Sequence, residues 1–158
     1  MIDGTLQWNN VSTVSFNWVR QTPDFSNYNP TPSPCASIQA DVNGVHYRPV
    51  ANFVAFTYTC SSGSFLLHAQ VVFGSGQSWY SGTGTPPMNQ VDAWAFSAHE
   101  FGHATGGWLD NSIGGHFGGA TLCPENSSKH TMCAIISGGT TWQRSLAFHD
   151  SETFDNAY

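Results

Sequence analysis

Charge is what this chain has least of. Only 9% of its 158 residues are Asp, Glu, Lys or Arg, against roughly a quarter in an average soluble protein, so the high-charge, low-hydrophobicity composition of a disordered chain is missing. Four basic residues, Arg20, Arg48, Lys129 and Arg144, stand against ten acidic ones, a formal net charge of -6. That is the wrong sign for a surface that neutralises phosphates, and it argues against nucleic acid and anionic membranes as partners. Long apolar runs are lacking too. None approaches the ~20 residues needed to cross a bilayer, and residues 1–10 have no charged-then-apolar layout of a signal peptide. Internal repeats, which would indicate an array, are also absent.

What is present suits one globular domain, with 40% hydrophobic and 14% aromatic residues to fill a core. Four cysteines, very little lysine and abundant Ser, Thr, Asn and Gly point to an extracellular surface stabilised by disulfides, although a cytosolic chain can carry the same cysteines as free thiols. On the secreted reading, a signal and any pro-segment lie outside the sequence given.

Val14, Phe16 and Trp18 alternate with Ser15, Asn17 and Val19, which is strand periodicity over about 13–20. A proline-rich loop follows. Ser33 as N-cap, Pro34 at the first helical position and Gly44 past the end then bracket a short helix with Cys35, Ile38 and Val42 on one face. Two aromatic and β-branched runs, 52–59 and 64–73, are separated by Cys60-Ser-Ser-Gly63 and read as neighbouring strands. Residues 74–89 have loop composition, with Trp79 and Tyr80 as anchors. Asn89 offers an N-cap with Asp92 three residues on, and Val91, Ala95, Ala98 and Gly102 recur at helical spacing before Gly106-Gly107 ends the helix. Residues 107–141 are glycine-rich and aperiodic, so an ordered loop there needs a staple. Asp150 can cap a last helix over 151–158, with Phe154 and Tyr158 on its buried face.

The helix beginning near Asn89 contains His99-Glu100-Phe101-Gly102-His103, an H-E-x-x-H motif. Positions i and i+4 share a helical face, so both imidazoles can reach one ion at the ~2.0–2.1 Å zinc distance. Glu100 lies beside them, placed to take a proton from a water on that ion. With seven His and three Glu in the chain, the motif arises by chance about half a per cent of the time. A catalytic zinc also requires a third protein ligand and keeps a fourth position for water.

His99 to His103 and the continuation through Gly106 resemble the metzincin metallopeptidases, most closely the matrixins, whose extended motif is H-E-x-x-H-x-x-G-x-x-H. Gly106 matches the family glycine at which the helix ends. The third-ligand position does not match, because Leu109 stands there and cannot bind zinc. Two candidates replace it: His116, reached through an insertion made flexible by Gly114 and Gly115, and Asp110, in place if Gly107 makes the turn. His116 is preferred because imidazole is the commoner third ligand in that resemblance and zinc favours nitrogen. Asp110 otherwise serves as a loop-capping carboxylate or as partner to a ligand imidazole.

His130-Thr131-Met132-Cys133 is similar to the Met-turn of the same group, which makes Met132 the hydrophobic floor under the metal. The position two residues on is Ala134, so the tyrosine found there in some branches is lacking. The strand 67–73, Trp79 to Gly82, Asp92 and the closing helix also resemble matrixin elements, and the likeness covers about residues 65–158. It implies an α+β fold in a single domain, 1–158. A twisted mixed β-sheet and the active-site helix fall within 1–106, and an irregular C-terminal part, 107–158, holds the Met-turn and a final helix.

On this resemblance the chain is a secreted zinc-dependent endopeptidase. His99, His103 and His116 hold zinc, Glu100 is the general base, and an extended peptide or protein substrate adds a strand at roughly 68–73. The resemblance also places the main specificity pocket beside 134–141. Calcium sites occur in the group, but ten acidic residues without a dense cluster identify no calcium ligands here. His46, His68, His130 and His149 read as structural or solvent-exposed. A Cys123–Cys133 disulfide would staple the glycine-rich stretch and Cys35–Cys60 would tie the early helix to the sheet, though four cysteines allow three pairings.

The alternative, from another class, is a non-catalytic binding module with an aromatic ligand surface and a closed zinc site of His99, His103, Asp110 and His116. Glu100 argues against it, because a closed site holds no water to activate. An H-E-x-x-H hydrolase acting on something other than peptide is a third option, since a fold-level likeness does not define the substrate.

Overall fold

The computed structural model describes residues 44–50, 53–62, 65–104, 131–133, 136 and 138–146, with side chains excepted at 60–62 and 65–68. The strand expected at 13–20, the helix after Ser33, the third-ligand candidates Asp110 and His116, Cys35, Cys123, His130, His149 and the closing helix lie outside these residues.

Three strands form a mixed sheet: β1 (Gly44–Arg48), β2 (Ala55–Ser62) and β3 (Phe65–Gly74), in the order β1-β3-β2. β1 runs parallel to β3, from Gly44 opposite Gln70 to Arg48 opposite Gly74. β2 runs antiparallel to β3, from Ala55 opposite Phe73 to Ser62 opposite Phe65, with a register shift between Cys60 and Ser61. The two runs expected to be neighbours therefore pair. The turn between them is tighter than Cys60 to Gly63, because the ladder continues through Ser62.

β3 is the central strand, and its sequence shows why. Ala69, Gln70, Val71, Val72 and Phe73 are all at most 2% exposed, so both faces are covered and the strand reads as a near-continuous apolar run. This corrects the expected substrate edge at 68–73. The hydrogen-bonding groups on both sides of β3 are used by β1 and β2, so no further strand can add there. Among the described residues the sheet's outer strands are β1 and β2. β1, which the sequence reading did not identify, is half-buried, with Val45 and Tyr47 exposed.

The connection from β1 to β2 crosses the end of β3. Gly74 N donates to Val54 O at 2.8 Å and Ser75 N to Arg48 O at 2.9 Å. A Cβ on Gly74 would sit 2.8 Å from Val50 Cγ2 and 2.9 Å from Val54 O, so this crossing requires glycine.

Within the expected loop 74–89, Trp79–Tyr80 is a two-residue strand, β4, paired parallel with β5 (Val91–Asp92). Trp79 is the expected anchor: its Nε1 donates to Gly74 O at 2.7 Å, and its ring meets Phe73 and Phe96 edge-on at 5.6 and 5.7 Å.

The helix that carries both histidines, α1 (Ala93–Ala104), starts three residues later than Asn89 would have it. Gln90 N bonds back to Pro87 O, and Val91 N donates to Ser78 O, which commits Val91 to the β4–β5 pairing and leaves the N-cap to Asp92. Asp92 Oδ1 accepts from Trp94 N at 3.0 Å and from Ala95 N at 3.4 Å, two of the donors a helix start leaves unpaired. Nine of the helix's twelve residues are buried, many of them Ala, Ser or Gly, which lets α1 lie close on β2 and β3. The core between them comprises Ala69, Val71 and Phe73 from β3, Phe101 and Ala104 from α1, and Met132. No helix among the described residues is long and apolar enough to cross a membrane.

Candidate metal centre

His99 and His103 occupy successive turns of α1, and their Nε2 atoms lie 3.2 Å apart with the rings nearly perpendicular, at 87°. Two nitrogens held by one tetrahedral zinc at ~2.0–2.1 Å are about 3.3–3.4 Å apart, so the separation of the pair is that of two ligands of one cation. The hydrogen bonding agrees. His99 Nδ1 lies 2.7 Å from Thr131 O, and a carbonyl only accepts, so Nδ1 carries a proton and the Nε2 edge of the ring is turned toward His103. A single hydrogen shared between the two Nε2 atoms accounts for their approach in the absence of metal.

Thr131 and Met132 form a turn, which is anchored at three points. Thr131 O accepts from His99, Thr131 Oγ1 donates to Ser145 O at 2.9 Å, and the Met132 side chain, 3% exposed, packs in the core with Phe101 and Ala104. Cys133, fully buried, is disulfide-bonded. Met132 thus packs in the core one residue after the carbonyl that meets His99.

Glu100 is 4% exposed. Its carboxylate Oε2 accepts from Thr57 Oγ1 on β2 at 2.7 Å, and its main-chain oxygen lies 2.9 Å from the same hydroxyl. Burial pushes the Glu100 carboxyl from an ordinary 4.5 up to about 7, while the Thr57 hydrogen bond pulls it down. A base whose pKa sits near neutrality is matched to taking up and releasing a proton there.

The same shift predicts a pH dependence of stability in the zinc-free protein. The native carboxyl holds its proton up to about 7 and the unfolded one releases it near 4.5, so native protein binds more protons in that window. Stability is greatest below it and falls as pH rises through it, by up to about 3 kcal/mol. Denaturant unfolding at pH 4.5 and pH 8 should show this loss in the wild type and a smaller one in Glu100→Gln, and equal losses would refute it.

Next to Thr57, a cleft of about 460 Å³ is lined by Arg48, Val50, Phe53, Phe56 and Tyr58 among others. Phe56 stacks edge-on against both Phe53 and Tyr58, giving an apolar wall. His46 lies on β1, half-buried, with its imidazole pKa lowered by burial and by Arg48.

The structure therefore brings together the imidazoles of His99 and His103, while Glu100, on the same helix, is anchored to Thr57 and Met132 packs with Phe101 and Ala104. Among the described residues no third His, Cys, Asp or Glu joins the histidine pair, and both candidates, His116 and Asp110, lie outside them. The sequence reading missed Thr57 and the Thr131 carbonyl. A threonine in a strand reads as a β-former and a main-chain oxygen leaves no trace in sequence. Comparisons with protein-family models, curated proteins and solved structures find no match for the chain.

Proposed function

We propose that the chain is a zinc-dependent endopeptidase of the metzincin type, most like the matrixins. The observation that carries this reading is the 3.2 Å approach of the two Nε2 atoms, with the His99 ring held by the Thr131 carbonyl. His99 and His103 would hold zinc together with His116, or with Asp110 in its place. Zinc bound there supplies polarisation of the scissile carbonyl and a water of lowered pKa. Glu100 accepts the proton from the attacking water and delivers it to the leaving amine. Met132 gives the histidines an apolar floor, and Thr131 O keeps the His99 ring from rotating. The substrate lies extended along β2, the outer strand of the described sheet that carries Thr57. The buried disulfide at Cys133 suits a secreted protein.

The test is elemental analysis of the wild type, His116→Ala and Asp110→Ala, with folding checked by circular dichroism. One zinc in the wild type, lost only in His116→Ala, is expected. Loss only in Asp110→Ala makes the set His-His-Asp, and loss in both favours the closed, non-catalytic site. A wild type without zinc overturns the reading.

A further inference from the structure

We propose that Thr57 is a positioning residue for Glu100, holding one carboxylate oxygen so that the other faces the reacting water. The inference rests on the peptidase reading, in which Glu100 is the proton acceptor.

Thr57 and Ala55 lie on the same face of β2, since alternate residues of a strand share a face. Ala55 packs against the core shared with α1, and Thr57, one step along, meets Glu100. The contact joins residues 43 apart in sequence, and helix and sheet are close-packed on either side of it. Thr57 Oγ1 has one hydrogen and two acceptors within reach, Glu100 Oε2 at 2.7 Å and Glu100 O at 2.9 Å. An ionised carboxylate takes that hydrogen, because a charged acceptor makes the shorter and stronger bond.

A glutamate has three side-chain torsions, and a base beside a fixed pair of imidazoles is useful only if its free oxygen keeps its place. Glu100 Oε1 makes no hydrogen bond among the described residues, whereas Oε2 is anchored on β2. The oxygen left over is the one that can work.

The experiment compares Thr57→Val, which keeps shape and strand propensity but lacks the hydroxyl, with Thr57→Ser, which keeps it. On a casein-derived peptide with zinc-loaded protein, Thr57→Val should lower kcat about tenfold to a hundredfold, the scale on which misplaced groups act. KM should stay within about twofold and zinc content at one per chain, and Thr57→Ser should recover most of the rate. A second readout needs no zinc. In metal-free unfolding, Thr57→Val combined with Glu100→Ala should shift the denaturation midpoint by less than the sum of the single variants, because the two changes remove one interaction.

A wild type that binds zinc and cleaves peptide, with Thr57→Val at full kcat or with Thr57→Ser no better than Thr57→Val, overturns the positioning role and leaves the peptidase reading standing. Additive shifts overturn it as well. A wild type without zinc or activity overturns the peptidase reading instead, and the catalytic meaning of the contact with it.

Discussion

Glu100→Gln is expected to bind zinc as the wild type does and to lose casein hydrolysis by a factor of about 10²–10⁴, the range in which a general acid–base group acts. The substitution preserves shape. A glutamine side chain still accepts the Thr57 hydrogen bond through its amide oxygen, so the strand–helix contact survives, and the histidines, held by α1 and Thr131 O, keep their 3.2 Å approach. What is lost is the capacity to accept a proton. The loss should appear in kcat and kcat/KM together, since proton transfer belongs to the transition state and not to binding. Hydrolysis at the wild-type rate would remove Glu100 from the mechanism. Loss of zinc alongside activity would instead give Glu100 a structural part in the metal centre.

The second large effect falls on stability. Asp92→Ala should lower the free energy of unfolding by about 3–5 kcal/mol, the cost of breaking a buried ion pair by removing one partner, with the lost cap included. Asp92 Oδ2 receives Arg144 Nε at 2.7 Å, with the two side chains 2% and 10% exposed, while Oδ1 caps α1. Arg144 also donates to Thr83 O and Gly82 O and lies over the Trp94 and Tyr80 rings. It forms part of a single-turn 3₁₀ helix, Trp142–Arg144. The next residue, Ser145, accepts from Thr131 Oγ1, and Thr131 O holds His99, so the ion pair at the helix start is linked to the orientation of the His99 imidazole. Arg144→Lys should fall between wild type and Asp92→Ala, because an ammonium cannot reproduce the planar fork that reaches both Asp92 and the loop carbonyls. Unfolding by denaturant measures all three, and a loss under about 1 kcal/mol for Asp92→Ala would show the pair to be a surface-type bridge.

Short-range spacing was a sound guide to the existence of α1, β2 and β3. The i,i+4 histidines were legible because a helix turn places them on one face whatever surrounds it. The runs 52–59 and 64–73 were legible as paired strands because β-branched and aromatic residues suit a pleated, half-buried surface. Trp79 was legible as an anchor because a large ring in a polar loop has to bury itself somewhere.

The start of α1 shows where such reasoning stops. Asn89 and Asp92 are both good caps by residue type, and the choice fell to Asp92 because Val91 pairs with Trp79 and because Arg144, 52 residues on, meets the Asp92 carboxylate. The central place of β3 is another case. An apolar run announces burial but not which strands bury it, and the parallel partner β1 comes from a stretch with no strong periodicity of its own. Motif spacing alone brought His99, Glu100 and His103 to the page and set Met132 downstream of them. Long-range packing turned Nδ1 of His99 to a carbonyl, anchored Glu100 on Thr57 and closed the edge of β3. Those contacts join residues 32 and 43 positions apart, and their geometry depends on how sheet, helix and turn close on one core, which no local pattern encodes.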